Sequence, residues 1–316
     1  MLFVKRLYYF SANQINKVAN HIKSCFGLVL MKLGLLDRFV LVRMDGGICS
    51  QMHFYMIGEL FRAKGYPVKF ELEWFRKYGK DMNGNFARNF DLIRAFPHLD
   101  FQEASTFERF IYMGFKFYND WTDVENSMNF LNLVPPIYLT GYYATPKGCC
   151  MDLYTIFTMD ISILDHNNRE IYEKIRQNES TVAIHVRRGD LSSYCPSYGS
   201  PVDSEYIKHS MTYIESKVGK AFYFIFSDEP DWVKSCLIDE LPFDHNYFVV
   251  DINGSDKGYM DLFLIAACAH QITSKGSLGK YGAFLCSNKN NIITVYDDEC
   301  ERINWEGQHP NIIFIK

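Results

Sequence analysis

From about residue 39 the chain alternates short apolar runs with helical stretches. That pattern allows few folds, chiefly parallel strands joined by crossover helices that cover both faces of a sheet. In the first half, Phe39-Val-Leu-Val-Arg-Met44 reads as a strand, followed by a glycine turn at Gly46-Gly47 and a helix to about residue 64. Gly65-Tyr-Pro67 breaks that helix, and residues 68–73 alternate as a strand should. A helix is expected over 86–96, stopped by Pro97, and a strand over 137–143, with irregular loops over much of 74–136. The second half is more regular. Strands are expected at 181–186, 221–226, 247–250, 271–274 and 291–296, and helices at 203–218, 230–237, 257–270 and 277–286, with Asp203 as an N-cap.

The 316 residues suffice for two such domains. The expected division is a leader over 1–36, an N-terminal Rossmann-like domain over 37–170 and a C-terminal one over 171–316, parted in the polar run 165–180. A 48% hydrophobic content supports real cores, and 22% charged residues with a net charge of -4 argue against disorder and against a nucleic-acid partner. The aromatic share is high, with 21 Tyr and 26 Phe; aromatic faces suit sugar stacking, though most aromatics fill cores. The nine cysteines (25, 49, 149, 150, 195, 236, 268, 286 and 300) form no C-x-x-C pair, which fits reduced thiols and a cytoplasmic protein. No apolar stretch approaches the length of a membrane span or a secretory signal. Residues 1–36 stand apart: Lys5, Arg6, Lys17, Lys23 and Lys32 are accompanied by no Asp or Glu and by many apolar residues. Such a leader suits peripheral contact with an anionic membrane surface; the alternative is an ordinary N-terminal helix pair with a solvated basic face.

Polar residues follow each strand of the second half: Arg187, Arg188 and Asp190, then Ser227 and Asp228, then Asp251, then Lys275 and Ser277. Ligands of open α/β sheets bind at such carboxyl ends. The sharpest cluster is His185-Val-Arg-Arg-Gly-Asp190. Two adjacent guanidiniums repel unless an anion is shared between them, and a diphosphate fits two planar forks. Asp190 is then the residue to hold an arginine, and His185 to donate to phosphate or ribose. The competing reading is an arginine pair neutralised by local acids. Arg188-Gly-Asp190 also spells an adhesion tripeptide, too short a signal to weigh. There is no P-loop, G-x-G-x-x-G or H-E-x-x-H motif, and the pairs Asp297-Asp298 and Asp239-Glu240 read as solvated faces rather than metal ligands, so no metal and no cofactor is expected.

These motifs together resemble the α-1,2-fucosyltransferases of glycosyltransferase family 11. Arg43-Met-Asp-Gly-Gly-Ile-Cys-Ser-Gln-Met52 is similar to the family's G-G-L-G-N-Q-M motif, Gly141-Tyr-Tyr143 to G-Y-[YWF], and His185 to Asp190 to H-x-R-R-x-D. Phe224 to Trp232 is similar to F-S-D-D-x-x-W, and Met260-Asp-Leu to His270, with Ser277 and Gly282-Ala-Phe-Leu285, to its C-terminal pattern. The resemblance implies an α/β fold of GT-B type, two Rossmann-like doubly wound domains facing across a cleft. It further implies GDP-β-L-fucose as donor substrate bound by the C-terminal domain, a galactose-containing glycan acceptor bound by the N-terminal one, inversion, and no required metal.

On this reading Arg187 and Arg188 stabilise charge on the departing phosphate, with His185 and Asp190 beside them. Asp228, Ser227, Ser277 and Lys275 contact the nucleotide sugar, and Gly46 and Gly47 let backbone approach it closely. A turn or capping role is the alternative for Gly46, Gly47, Asp228 and Ser277. Asp45 and Asp190 are the candidate general bases. Departures from the family pattern are Lys275 where Asn is usual and Lys280-Tyr281 where a tryptophan pair is usual. They leave open a different GDP-sugar or a nucleotide-sugar-binding protein without turnover.

Overall fold

The computed structural model describes residues 2–80, 84, 87–118, 129–141, 150–192, 199–242, 246–254 and 256–316, with backbone only for 2–13, 129 and 150–152. Tyr142, Tyr143, Cys149 and Cys195 therefore lie outside the described residues, as does Phe86 at the start of the expected 86–96 helix. The chain forms two compact units that interleave in sequence: residues 1–45, 51–78 and 100–146, and residues 46–50, 79–99 and 147–316. Each carries one parallel sheet. This is the two-part α/β build expected of a GT-B chain.

The first unit holds strands β1 (Val40–Arg43), β2 (Val68–Glu71), β3 (Lys116–Phe117) and β4 (Ile137–Leu139) in the order β2-β1-β4-β3. Its principal helices are α1 (Leu2–Lys32), α2 (Ile48–Arg62, whose first turn clusters with the second unit) and α3 (Thr106–Tyr112). A capping box starts α3, Ser105 and Glu108 each accepting the other's backbone N–H. Tyr112 then locks α3 to the entry of β1: its hydroxyl accepts from Phe39 N (2.9 Å), donates to Asp37 O (3.0 Å), and its ring stacks on Phe39 at 4.1 Å.

The expected leader is thus a single 31-residue helix rather than a helix pair, and its carboxyl-terminal half belongs to this unit. Met31 and Leu36 enter the same buried cluster as Phe39, Leu41, Ile111 and Tyr112. Close approach depends on two glycines. A Cβ on Gly27 would lie 2.7 Å from Ile111, and one on Gly114 would collide with the backbone of Ser24 and lie 2.7 Å from Asn20 O.

The second unit has six strands: β5 (Thr181–Val186), β6 (Phe222–Ser227), β7 (Tyr247–Val250), β8 (His270–Ile272), β9 (Ile293–Tyr296) and β10 (Ile312–Ile315). Their order is β10-β9-β8-β5-β6-β7, so the chain leaves β5 in one direction, returns, and leaves in the other. This is the doubly wound Rossmann order, and its switch point lies between β5 and β8. The pleat explains the two covered faces. Val182, Ile184 and Val186 point to α5 (Ser204–Val218), against Tyr206, Ile207, Met211 and Ile214. Ala183 points the other way, with Phe224 and Phe226, to α4 (His166–Arg176) and α6 (Gly258–Ala267). Asp203 caps α5, accepting from Tyr206 N at 2.9 Å.

Most expected elements are present with shifted ends. The expected 86–96 helix is a single described turn, Leu92–Ala95, entered at Asp91, whose carboxylate is taken by Arg94. Strands β3 and β10 and helix α8 (Glu299–Trp305), which follows α7 (Ser277–Phe284), were not expected.

Gly114→Ala should destabilise the protein by about 1–3 kcal/mol, because the added methyl meets backbone that has nowhere to retreat. Proteolytic mapping should then show cleavage within the carboxyl-terminal half of α1 at protease levels that leave the wild type intact.

Candidate active site

The carboxyl ends of β5, β6 and β8 bring most of the expected residues of the second unit together. His185, on β5, is buried, and burial beside the Arg187 charge pushes it down to about 3, so its imidazole is neutral across the physiological range. Nδ1 hydrogen-bonds Ser274 Oγ at 3.0 Å, and α7 covers the ring at Gly279, where a Cβ would lie 3.0 Å from Nδ1. The same Ser274 Oγ accepts the backbone N–H of Arg187 at 2.9 Å.

The Arg187 guanidinium is gripped by Asp190, Nε to Oδ1 at 2.9 Å and Nη2 to Oδ2 at 2.6 Å. Burial pushes the Asp190 carboxyl up, but the hydrogen bonds and charge of Arg187 outweigh it and hold the group below the usual carboxylate range. Gly276, at φ 104°, enters α7 against this arginine, and a side chain there would collide with Arg187 Nη1.

Each of the two guanidiniums faces a carboxylate of its own. Arg188 turns to Glu229, Nε to Oε2 at 3.1 Å, and stacks over Trp232 with Cζ 4.0 Å from the ring centroid. Asp228 is likewise engaged: Oδ1 accepts from Arg188 N at 2.9 Å and Oδ2 from Gly189 N at 3.0 Å, so it fixes the turn that carries both arginines. Ser227 Oγ accepts from Glu229 N at 3.0 Å.

Lys275 is buried, with Nζ 2.9 Å from Asp298 Oδ2 and over the ring of Tyr296. Asp298 also caps α8 through Glu301 N, and Asp297 binds Arg302; this acidic pair is structural rather than a solvated face. Lys280 donates to Asn304 O at 2.5 Å and lies over Trp305 and Phe284, so it fastens the end of α8. Tyr281 beside it is buried. The departure at Lys280-Tyr281 is therefore absorbed in packing between α7 and α8.

Ser277 begins α7 and hydrogen-bonds Cys49, a buried thiol that burial pushes up to about 12. Gly46 takes φ 72°, and Gly47 faces Arg88, a Cβ there lying 3.8 Å from Nη1. Asp45 falls in the first unit, where its carboxylate is held by Arg43 at 2.5 and 3.0 Å.

Three residues of the cluster escape sequence reasoning. Ser274 lies at the edge of an expected strand with nothing to show its two partners, and Gly276 reads as an ordinary turn glycine. Arg88, whose charge acts on Asp190 and Cys49, sits in an irregular stretch without a motif. Among the described residues no group of three or more His, Cys, Asp or Glu is arranged to hold a metal.

The Arg187 guanidinium is thus held at the switch point of a doubly wound domain, where open α/β sheets bind their ligands. The sequence pattern of glycosyl transferase family 11 matches residues 112–310. The chain belongs to this family and is a glycosyltransferase.

It is 26% identical over 130 residues to the O-antigen biosynthesis glycosyltransferase WbnK of Escherichia coli, covering 40% of this chain and 42% of that enzyme. It is 21% identical over 272 residues to an alpha-1,2-colitosyltransferase of Escherichia coli, covering 78% of this chain and 87% of the relative. Similar solved structures include NodZ alpha-1,6-fucosyltransferase with GDP (TM-score 0.48, 14% identity, 83% of this chain and 96% of that one). Another is E. coli ADP-heptose lps heptosyltransferase II (TM-score 0.47, 10% identity, 88% and 90%).

Two outcomes are expected of the site. Because native His185 refuses a proton that the unfolded chain takes below about pH 6.5, its contribution to stability is complete above that pH and declines as pH falls toward about 3. Denaturant melts of wild type and His185→Gln across that window should differ in slope by up to about 1.4 kcal/mol per pH unit. Lys280→Met should cost about 1–2 kcal/mol through the lost hydrogen bond and ring contacts. Calorimetry should find its affinity for GDP unchanged; a large loss would return Lys280 to the donor site.

Proposed function

We propose that the protein is an inverting, metal-independent α-1,2-fucosyltransferase that moves L-fucose from GDP-β-L-fucose to a galactose hydroxyl of a cell-surface glycan or its lipid-linked precursor, working in the cytoplasm. The observation that carries this reading is the fixed guanidinium of Arg187 at the β5–β8 switch point, within a family 11 domain. As the bond between the sugar C1 and the phosphate oxygen breaks, negative charge grows on the β-phosphate. A cation already oriented there stabilises that charge without reorganisation.

In this mechanism Arg187 is the catalytic residue. Asp190, hydrogen-bonded to both Nε and Nη2, positions it; His185 and Ser274 position its backbone; Asp228 positions the turn that follows. Arg188 is a further cation for the diphosphate, released from Glu229 when the donor enters. The acceptor hydroxyl attacks C1 from the face opposite GDP as the C1–O bond to the β-phosphate breaks, which inverts the anomeric centre, releases GDP and gives up the hydroxyl proton to water.

A second reading keeps GDP and changes the sugar. The match to an alpha-1,2-colitosyltransferase over 78% of the chain favours colitose as that alternative.

The test begins with calorimetry of GDP against UDP and ADP in EDTA. Selective GDP binding supports the proposal, and a preference for UDP defeats it. Turnover of GDP-fucose on galactose-terminated acceptors should then fall about 10²–10³-fold in Arg187→Ala with the fold intact. Near-normal turnover in that variant would remove the phosphate role, and transfer of colitose but not fucose would select the second reading.

A further inference from the structure

Helix α1 has two apolar faces, and the first unit covers only one. Gly27 and Met31, with the backbone around Asn20 and Ser24, pack against α3 and the turn at Met113–Phe115. On the opposite side Ile15, Val18, Ile22, Phe26, Val29 and Leu33 are 50% to 68% exposed. At about 100° of rotation per residue these six fall within an arc of about 80°, a continuous stripe along the helix. Leu33, one residue beyond α1, keeps its amide on the Val29 carbonyl at 3.0 Å and so remains in line.

Charge identifies the occupant. Lys23 and Lys32 flank the stripe on its two sides, each about 80–100° from its centre. The Lys23 ammonium rests over the half-exposed ring of Phe110, 4.5 Å from the centroid, with its stem along the helix. No acidic residue occurs anywhere in residues 1–36. A second copy of α1 laid on the stripe would bring lysines to lysines with no counter-charge. An anionic bilayer supplies hydrocarbon for the stripe and phosphate for its lysine borders. No described helix is long and apolar enough to cross a membrane, so contact is along the surface.

We propose that α1 lies in the headgroup region of an anionic bilayer, with the Ile15-to-Leu33 stripe inserted and Lys23 and Lys32 at its margins, while its other face holds the first unit.

The test is vesicle co-sedimentation of the full chain on phosphatidylglycerol–phosphatidylcholine vesicles and on phosphatidylcholine alone. The wild type should bind the anionic vesicles, lose binding as salt rises, and leave the neutral ones largely unbound. Ile22→Asn with Val29→Asn, both solvent-exposed, should weaken binding by about tenfold or more. Lys23→Gln with Lys32→Gln should weaken it by about fivefold per lysine and serves as a second variant if the first disturbs the helix. Circular dichroism and thermal melts confirm that each variant is folded.

Equal binding by the asparagine variant and wild type would overturn the proposal, as would absence of wild-type binding or indifference to lipid charge. A wild-type dimer in sedimentation velocity that the asparagine variant dissolves would assign the stripe to a second copy and overturn it equally.

Discussion

The guanidinium of Arg187 projects from a short turn, and what makes its position definite is that three successive amides of the turn are answered by side chains that follow neighbouring strands. Ser274, just past β8, takes the amide of Arg187; Asp228, just past β6, takes those of Arg188 and Gly189. Three parallel strands thus contribute to one loop of backbone, and the ladder that aligns β5 with β6 and β8 also sets where the arginine stands. An arginine on an unbraced loop would have to be ordered during the reaction, at a cost set by its many rotamers.

Neutralisation follows the same economy of partners. Each arginine of the pair has its own carboxylate, Asp190 for one and Glu229 for the other, which offsets the repulsion between them. The neutral state of His185 belongs to this balance, since a third cation packed under Arg187 would oppose both. Burial keeps the ring uncharged and lets it serve as a hydrogen-bonding spacer between strand and helix.

Much of the second unit was legible because its strands are buried on both faces and bounded by polar residues. Residues 181–186 and 247–250 were expected to the residue. The parts that escaped notice have physical reasons. β3 is two residues long, below what periodicity can signal, and β10 gains its identity only from pairing with β9. The helix expected over 86–96 shortens to one described turn at Leu92–Ala95, where Asp91 pairs with Arg94 and does not cap the helix. At the candidate site the residue types at the strand ends were readable, but their partners were not. The tie between Arg187 and Ser274 spans 87 positions and exists only once β5 and β8 are neighbours. The tie of Lys280 to α8 is hidden for the same reason: it spans 24 positions and exists only once α7 and α8 are packed together.

The pairing of Lys275 with Asp298 has a consequence for how this part of the family can diverge. One carboxylate oxygen pair both opens α8 and neutralises an ammonium buried at the exit of β8. Asparagine at position 275 would leave Asp298 its cap on α8, whereas changing Asp298 alone would strand a lysine that is only 8% exposed. The dependence runs one way: the lysine can be exchanged while the aspartate stays, but the aspartate cannot be lost while the lysine remains.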